Sequence, residues 1–90
     1  ATSGGSFALT DTTNSLNMIS VNAGTTIDLT SITHITGGNL TSTGAMTLTA
    51  DSDNNNTGIL NLNGNLISNN NNITLIGAHV DLDGVLEVAG

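Results

Sequence analysis

Seven acidic side chains and two histidines are the whole ionisable side-chain set of this 90-residue chain. Any acid–base or metal chemistry has to be built from them. Asp51, Asp53 and Asn55 have the alternate spacing with which the first half of a calcium loop presents its oxygens. The second half departs from that pattern. Its sixth position is Asn56 where the turn wants Gly, and its twelfth is Leu62 where a bidentate Glu would close the shell. A solvated polar turn is the favoured reading, with Ca²⁺ subordinate to it. Asp81 and Asp83 alternate with Val80 and Leu82, which puts both carboxylates on one face of a strand. Glu87 is expected nearby, and Asp28 at a related place in an earlier repeat. Such acids can share Ca²⁺ or raise one another's pKa; the favoured reading is a wet face. A glycosidase would need a deep aromatic-lined cleft around the pair, and Phe7 is the only aromatic.

His34 and His79 follow similar runs, Ile32-Thr-His-Ile-Thr and Gly77-Ala-His-Val-Asp, and are expected to stack on neighbouring coils. With no Cys and no His-x-x-x-His spacing they make a poor metal site, and hydrogen-bonded structural roles suit them better. No Gly-x-Ser-x-Gly elbow is present, and Gly37-Gly38 lacks the Lys of a phosphate loop. The chain therefore reads as a non-enzyme without a cofactor. Asn39, Asn55 and Asn72 each begin an Asn-x-Thr triplet, the acceptor pattern for N-glycosylation, and Asn55 lies in the longest polar tract.

The chain has no Lys and no Arg, and its formal charge is −7. Without cations it cannot grip phosphate, which excludes nucleic-acid binding by the usual electrostatic route and removes any basic patch for an anionic membrane. No run is apolar for the length of a membrane helix. The start, Ala-Thr-Ser-Gly-Gly-Ser, has neither the basic region nor the apolar stretch of a secretory leader. It suits a chain left after leader cleavage, or a fragment of a longer one. Lack of Cys and Lys suits an extracellular or cell-surface material.

The elements that must carry these residues are strands. Thr, Asn, Gly and Ser dominate and are poor helix formers. Alternation of apolar and polar residues marks Ile27-Asp-Leu29, Met46-Thr-Leu48, Leu60-Asn-Leu62, Ile73-Thr-Leu75 and Val80-Asp-Leu82. Glycines fall between these runs, and no Pro interrupts them. With a single aromatic, the core has to be thin and lined by Leu, Ile, Val and Met.

The runs also repeat. Asn17-Met-Ile-Ser20, Asn39-Leu-Thr-Ser42 and Asn65-Leu-Ile-Ser68 begin 22 and then 26 residues apart. Each leads into an alternating run: Thr26-Ile-Asp-Leu-Thr30, Ala45-Met-Thr-Leu-Thr49 and Asn72-Ile-Thr-Leu-Ile76. A period in the twenties with short strands and Gly corners predicts an all-β fold, a β-solenoid (β-helix-like) of about three to four irregular coils. Residues 51–57 and 69–72 are then outward loops, whose Asn side chains can ladder between coils. The competing fold is an antiparallel β-sandwich subunit with strand exchange, suggested by Asn63-Gly64, the strongest two-residue hairpin turn. Residues 1–6 read as a flexible arm and residues 7–90 as one repetitive β domain.

The stretches from Gly38 to Ala50 and from Asn72 to Gly90 resemble the repeats of filamentous-haemagglutinin-type and autotransporter passenger proteins. The resemblance covers roughly residues 16 to 90 and is one of repeat style. It implies a right-handed β-helix exported to a bacterial surface as an adhesin or a stalk, and it supplies no catalytic residues.

Two functions follow as expectations. The first is a structural subunit of an extracellular filament, with copies of itself as partners. Phe7-Ala-Leu-Thr and Val85-Leu-Glu-Val-Ala look like strands with free edges for pairing. The second is a binding module, a piece of a surface adhesin that touches glycans or a host surface. A water-ordering surface built on Thr47 and Thr49 ranks below both.

Overall fold

The computed structural model describes residues 2–12, 15–84 and 86–87. The first coil holds β1 (Thr2–Ser3) and β2 (Phe7–Asp11), the second β3 (Leu16–Ala23) and β4 (Ile27–Ser31), the third β5 (Ile35–Ser42) and β6 (Met46–Thr49). The fourth holds β7 (Ile59–Leu62), β8 (Leu66–Ile67) and β9 (Ile73–Ile76), and a fifth begins with β10 (His79–Leu82) and β11 (Leu86–Glu87). One sheet runs β1-β3-β5-β7-β10, with β8 and β11 continuing beside it, and the other runs β2-β4-β6-β9. All these pairings are parallel. The fold is thus a β-solenoid of about four turns. The antiparallel sandwich is overturned: Asn63-Gly64 joins β7 to β8 within one sheet and makes no hairpin.

Register follows from which residues point inward. On the second sheet Phe7, Ile27, Met46 and Ile73 form one column and Leu9, Leu29, Leu48 and Leu75 the next. On the first sheet Leu16, Ile35, Leu60 and Val80 stack likewise. Ile27, Leu29, Ile35, Met46, Leu48, Leu60 and Leu62 are sealed from solvent between the sheets. Each such side chain contributes about 1.5–3 kcal/mol by burial. Alternation along β5 slips once: Ile35 and Gly37 point inward, then Leu40 and Ser42. A slip of one residue reverses the faces, so the chain turns a corner at Gly38-Asn39. A full coil thus has three sides, two on the first sheet and one on the second.

The three alternating runs from Thr26, Ala45 and Asn72 are in register, as expected. The Asn-headed runs are corrected. Asn39 stands over Ser20, while Asn17 pairs with Thr36, so the first of the three sits three residues out of step. From Leu16 to Ile35 the coil takes only nineteen residues. Outward Asn, Thr and Ser interchange freely there, so the shared polar letters carry no register; the inward aliphatics do.

Corners are made by close approach and by αL turns. A Cβ on Gly84 would fall on the Gly64 carbonyl, and one on Gly64 on the Gly38 backbone, so neither position has room for a side chain. At the next corner the buried Ser42 hydroxyl donates to the Gly44 carbonyl at 2.7 Å, and Ser68 bonds the Asn71 carbonyl in the same way. Two loops lengthen the passage from Met46 to its partner Ile73 to 27 residues. There Asp51, Asn54, Asn56, Asn69 and Asn70 have positive φ, a conformation that Asn and Asp tolerate best among non-glycine residues. The Asn-rich tracts are thus what lets this passage lengthen without losing register. Asn71 Nδ2 donates to the Thr43 carbonyl of the coil below at 2.8 Å, a side-chain-to-backbone bond between coils and not the Asn-on-Asn ladder expected.

Candidate functional site

Asp51 closes the loop at residues 51–57. It is only 8 % exposed, and its two oxygens accept the N–H groups of Asn55 at 3.0 Å and Asn56 at 2.9 Å. Desolvation pushes its pKa up, but the Asn55 N–H, the Asp53 side chain and the Asn56 and Thr57 N–H groups outweigh it, and the net shift is downward. Asp53 shifts upward, through desolvation, its hydrogen bond with Asp51 and the Asp51 charge. Asp53 Oδ2 also accepts the Asn55 amide at 2.9 Å. The D-x-D-x-N spacing therefore serves a carboxylate turned onto its own loop backbone. Among the described residues no three His, Cys, Asp or Glu gather as a metal set.

Asp81 and Asp83 are exposed beside β10. The Asp81 column is Asn17, Thr36, Asn61, Asp81 on the first sheet. Asp28 sits on the second sheet in the column Ala8, Asp28, Thr47, Thr74, so its expected kinship with Asp81 is corrected: the two alternating runs belong to different sides of the coil. The Glu87 side chain lies outside the described residues. His34 and His79 do share a column, as their echoed runs suggested, but Ile59 separates them and they do not stack. Instead His34 Nδ1 accepts the Ile59 N–H at 2.9 Å.

Of the three triplet asparagines, Asn39 is exposed at its corner and its Oδ1 accepts the Asn65 N–H at 2.9 Å. Asn55 spends its amide on Asp53, and its Oδ1 accepts from Thr57. Asn72 is exposed ahead of β9, its carbonyl accepting the Met46 N–H.

Two further features stand out, one that the sequence did not signal and one that it did. The first is a groove of about 260 Å³ on the outer side of β3, β5 and β7, lined by Ser15, Leu16, Asn17, His34, Thr36, Ile59 and Asn61. These residues come from three coils, so no contiguous motif announces them. The second is the state of the ends. The Leu column of the second sheet is sealed at Leu29 and Leu48 but 37 % exposed at Leu9, and only half-buried at Leu75. Among the described residues, β2 and β9 each have one edge without a neighbouring strand. Thr2–Ser3, within the segment read as an arm, pairs on Asn22–Ala23.

No protein family, curated protein or solved structure matches this chain.

Proposed function

We propose that this chain is a structural building block whose coils continue from one copy into the next, giving an extracellular filament. The observation that carries the reading is the match between the two open edges. If β2 of one copy is laid in parallel over β9 of another, Phe7 meets Ile73 and Leu9 meets Leu75, the same columns that run through the interior. This joint is heterologous, and such joints grow into open fibres. The two strands bring one acid, Asp11, between them, while β10 and β11 add Asp81 and Glu87 at the same end of the stack, so the joint forms against charge repulsion.

The joint has one obstacle. Thr2 and Glu87 occupy the same position of the coil, four coils apart. The incoming β1 and the resident β11 therefore claim one place above β8, and one must lift away. β1 is held by only two residue pairs and yields more easily.

Lys on an edge strand blocks pairing, so Leu9→Lys tests the reading by sedimentation velocity. The variant alone is expected to stay small, and a small fraction of it is expected to shorten wild-type assemblies by ending growth at one face. Wild-type chains that stay monomeric at high concentration, with or without added salt, would remove the proposal. A role as coils of a surface adhesin is the second reading, and the three-coil groove on the first sheet favours it.

A further inference from the structure

The groove on the first sheet holds a set of groups with one chemical character. Its rim carries the hydroxyls of Ser15 and Thr36, the amides of Asn17 and Asn61, and the His34 imidazole. Since His34 Nδ1 accepts the Ile59 N–H, the neutral ring carries its proton on Nε2 and offers a donor there. Leu16 and Ile59 supply apolar surface beside these groups, and Ile59 is 39 % exposed. None of the lining residues is acidic, Lys or Arg, and Asp81 stands one strand beyond Asn61, so the lining itself offers an anion or a metal ion no counter-charge. At about 260 Å³ the groove is just under the size at which drug-sized pockets begin, about 300 Å³.

Asn61 supplies the second observation. Its Oδ1 is shut off from solvent and, among the described residues, meets no hydrogen-bond donor. Buried polar atoms are nearly always paired, and a deviation at a cavity wall marks a place where a ligand's donor is missing. Asn61 lines the groove, so a small outward shift of its side chain on binding would let a ligand hydroxyl donate to this oxygen. The unbound state then carries a penalty that the bound state lacks, and that difference appears as affinity.

We infer that this groove binds one neutral sugar ring of a glycan, its hydroxyls on Asn61, Thr36, Asn17 and His34 and its C–H face on Ile59. A sugar ring pairs several neutral hydroxyls with an apolar face, which is the mixture the groove presents. The inference is independent of filament growth, since the lining residues lie on the side of the stack.

Saturation-transfer difference NMR of the full chain tests it, because the method reads small ligands on monomers and filaments alike. The probes are the methyl glycosides of glucose, galactose, mannose and N-acetylglucosamine. Saturable transfer to at least one is expected. Asn61→Ala is expected to weaken it tenfold or more while the thermal midpoint holds or rises, because an unpaired buried acceptor has gone. A purely structural Asn61 would lower the midpoint and leave transfer unchanged. If that variant does not fold, Thr36→Val serves, with the same expected loss of binding. No saturable transfer from any of the four sugars overturns the inference, as does transfer undiminished in the folded variants.

Discussion

At the scale of residues, the acids of this chain turn out to be organisers of backbone. Asp51 has its pKa lowered, so its bonds stabilise the fold above the unfolded value of 3.8 and are lost as pH falls through the lower folded value. Asp53 has the opposite sign. Its raised pKa favours the fold below 3.8, and this contribution is lost as pH rises through the folded value. Stability of the loop therefore peaks in mild acid. Urea titrations across pH 2–7 are expected to show that maximum, with Asp53→Asn raising the neutral side and Asp51→Asn flattening the acid side. A profile unchanged by both substitutions would separate the loop from the stability of the stack. The sequence made these residues visible as a cluster, because spacing is local. It could not show that the Asp51 oxygens face their own N–H groups, since that depends on the positive φ of Asp51, Asn54 and Asn56.

Strands and corners are the next scale, and here the alternating runs were legible while the corners were only half so. Inward Leu and Ile at every second position fix which face is buried, and β4, β6, β7, β9 and β10 lie where that pattern put them. The slip at Gly38-Asn39 was not legible, because Gly carries no side chain to mark a face. Position along the stack now predicts the cost of a deletion. Leu48→Ala, at a sealed mid-stack site, is expected to cost about 3 kcal/mol in urea unfolding, within the 2–5 kcal/mol range for buried Leu. Leu9→Ala, partly exposed at the end, is expected to cost about 1 kcal/mol. Equal losses at the two positions would mean that the ends are covered in solution. Gly64→Ala is expected to cost about 2 kcal/mol or more, since its Cβ meets backbone that cannot move aside.

At the scale of the whole molecule the stack is squat. Four to five coils at about 4.8 Å each rise roughly 20 Å, no more than the short dimensions of a body measuring 34 × 23 × 19 Å. No buried column is therefore more than a few coils from an open end, and a further coil stacked by assembly would cover Leu9, Leu75 and Val80. The charge of −7 opposes association, so salt is expected to speed assembly in light-scattering kinetics by screening it. Removing residues 1–6 is expected to speed it too, by clearing the place that β11 needs. Assembly slowed by that truncation would mean that β1 belongs in the joint.

The most direct measurement of stacking is electron microscopy of the purified chain with diffraction from aligned fibres. Continuous coils predict a reflection near 4.8 Å along the fibre axis, and an axial rise of about 19 Å per copy from four coils at that spacing. Dispersed particles at every concentration, or fibres whose 4.8 Å spacing lies across the axis, would contradict it.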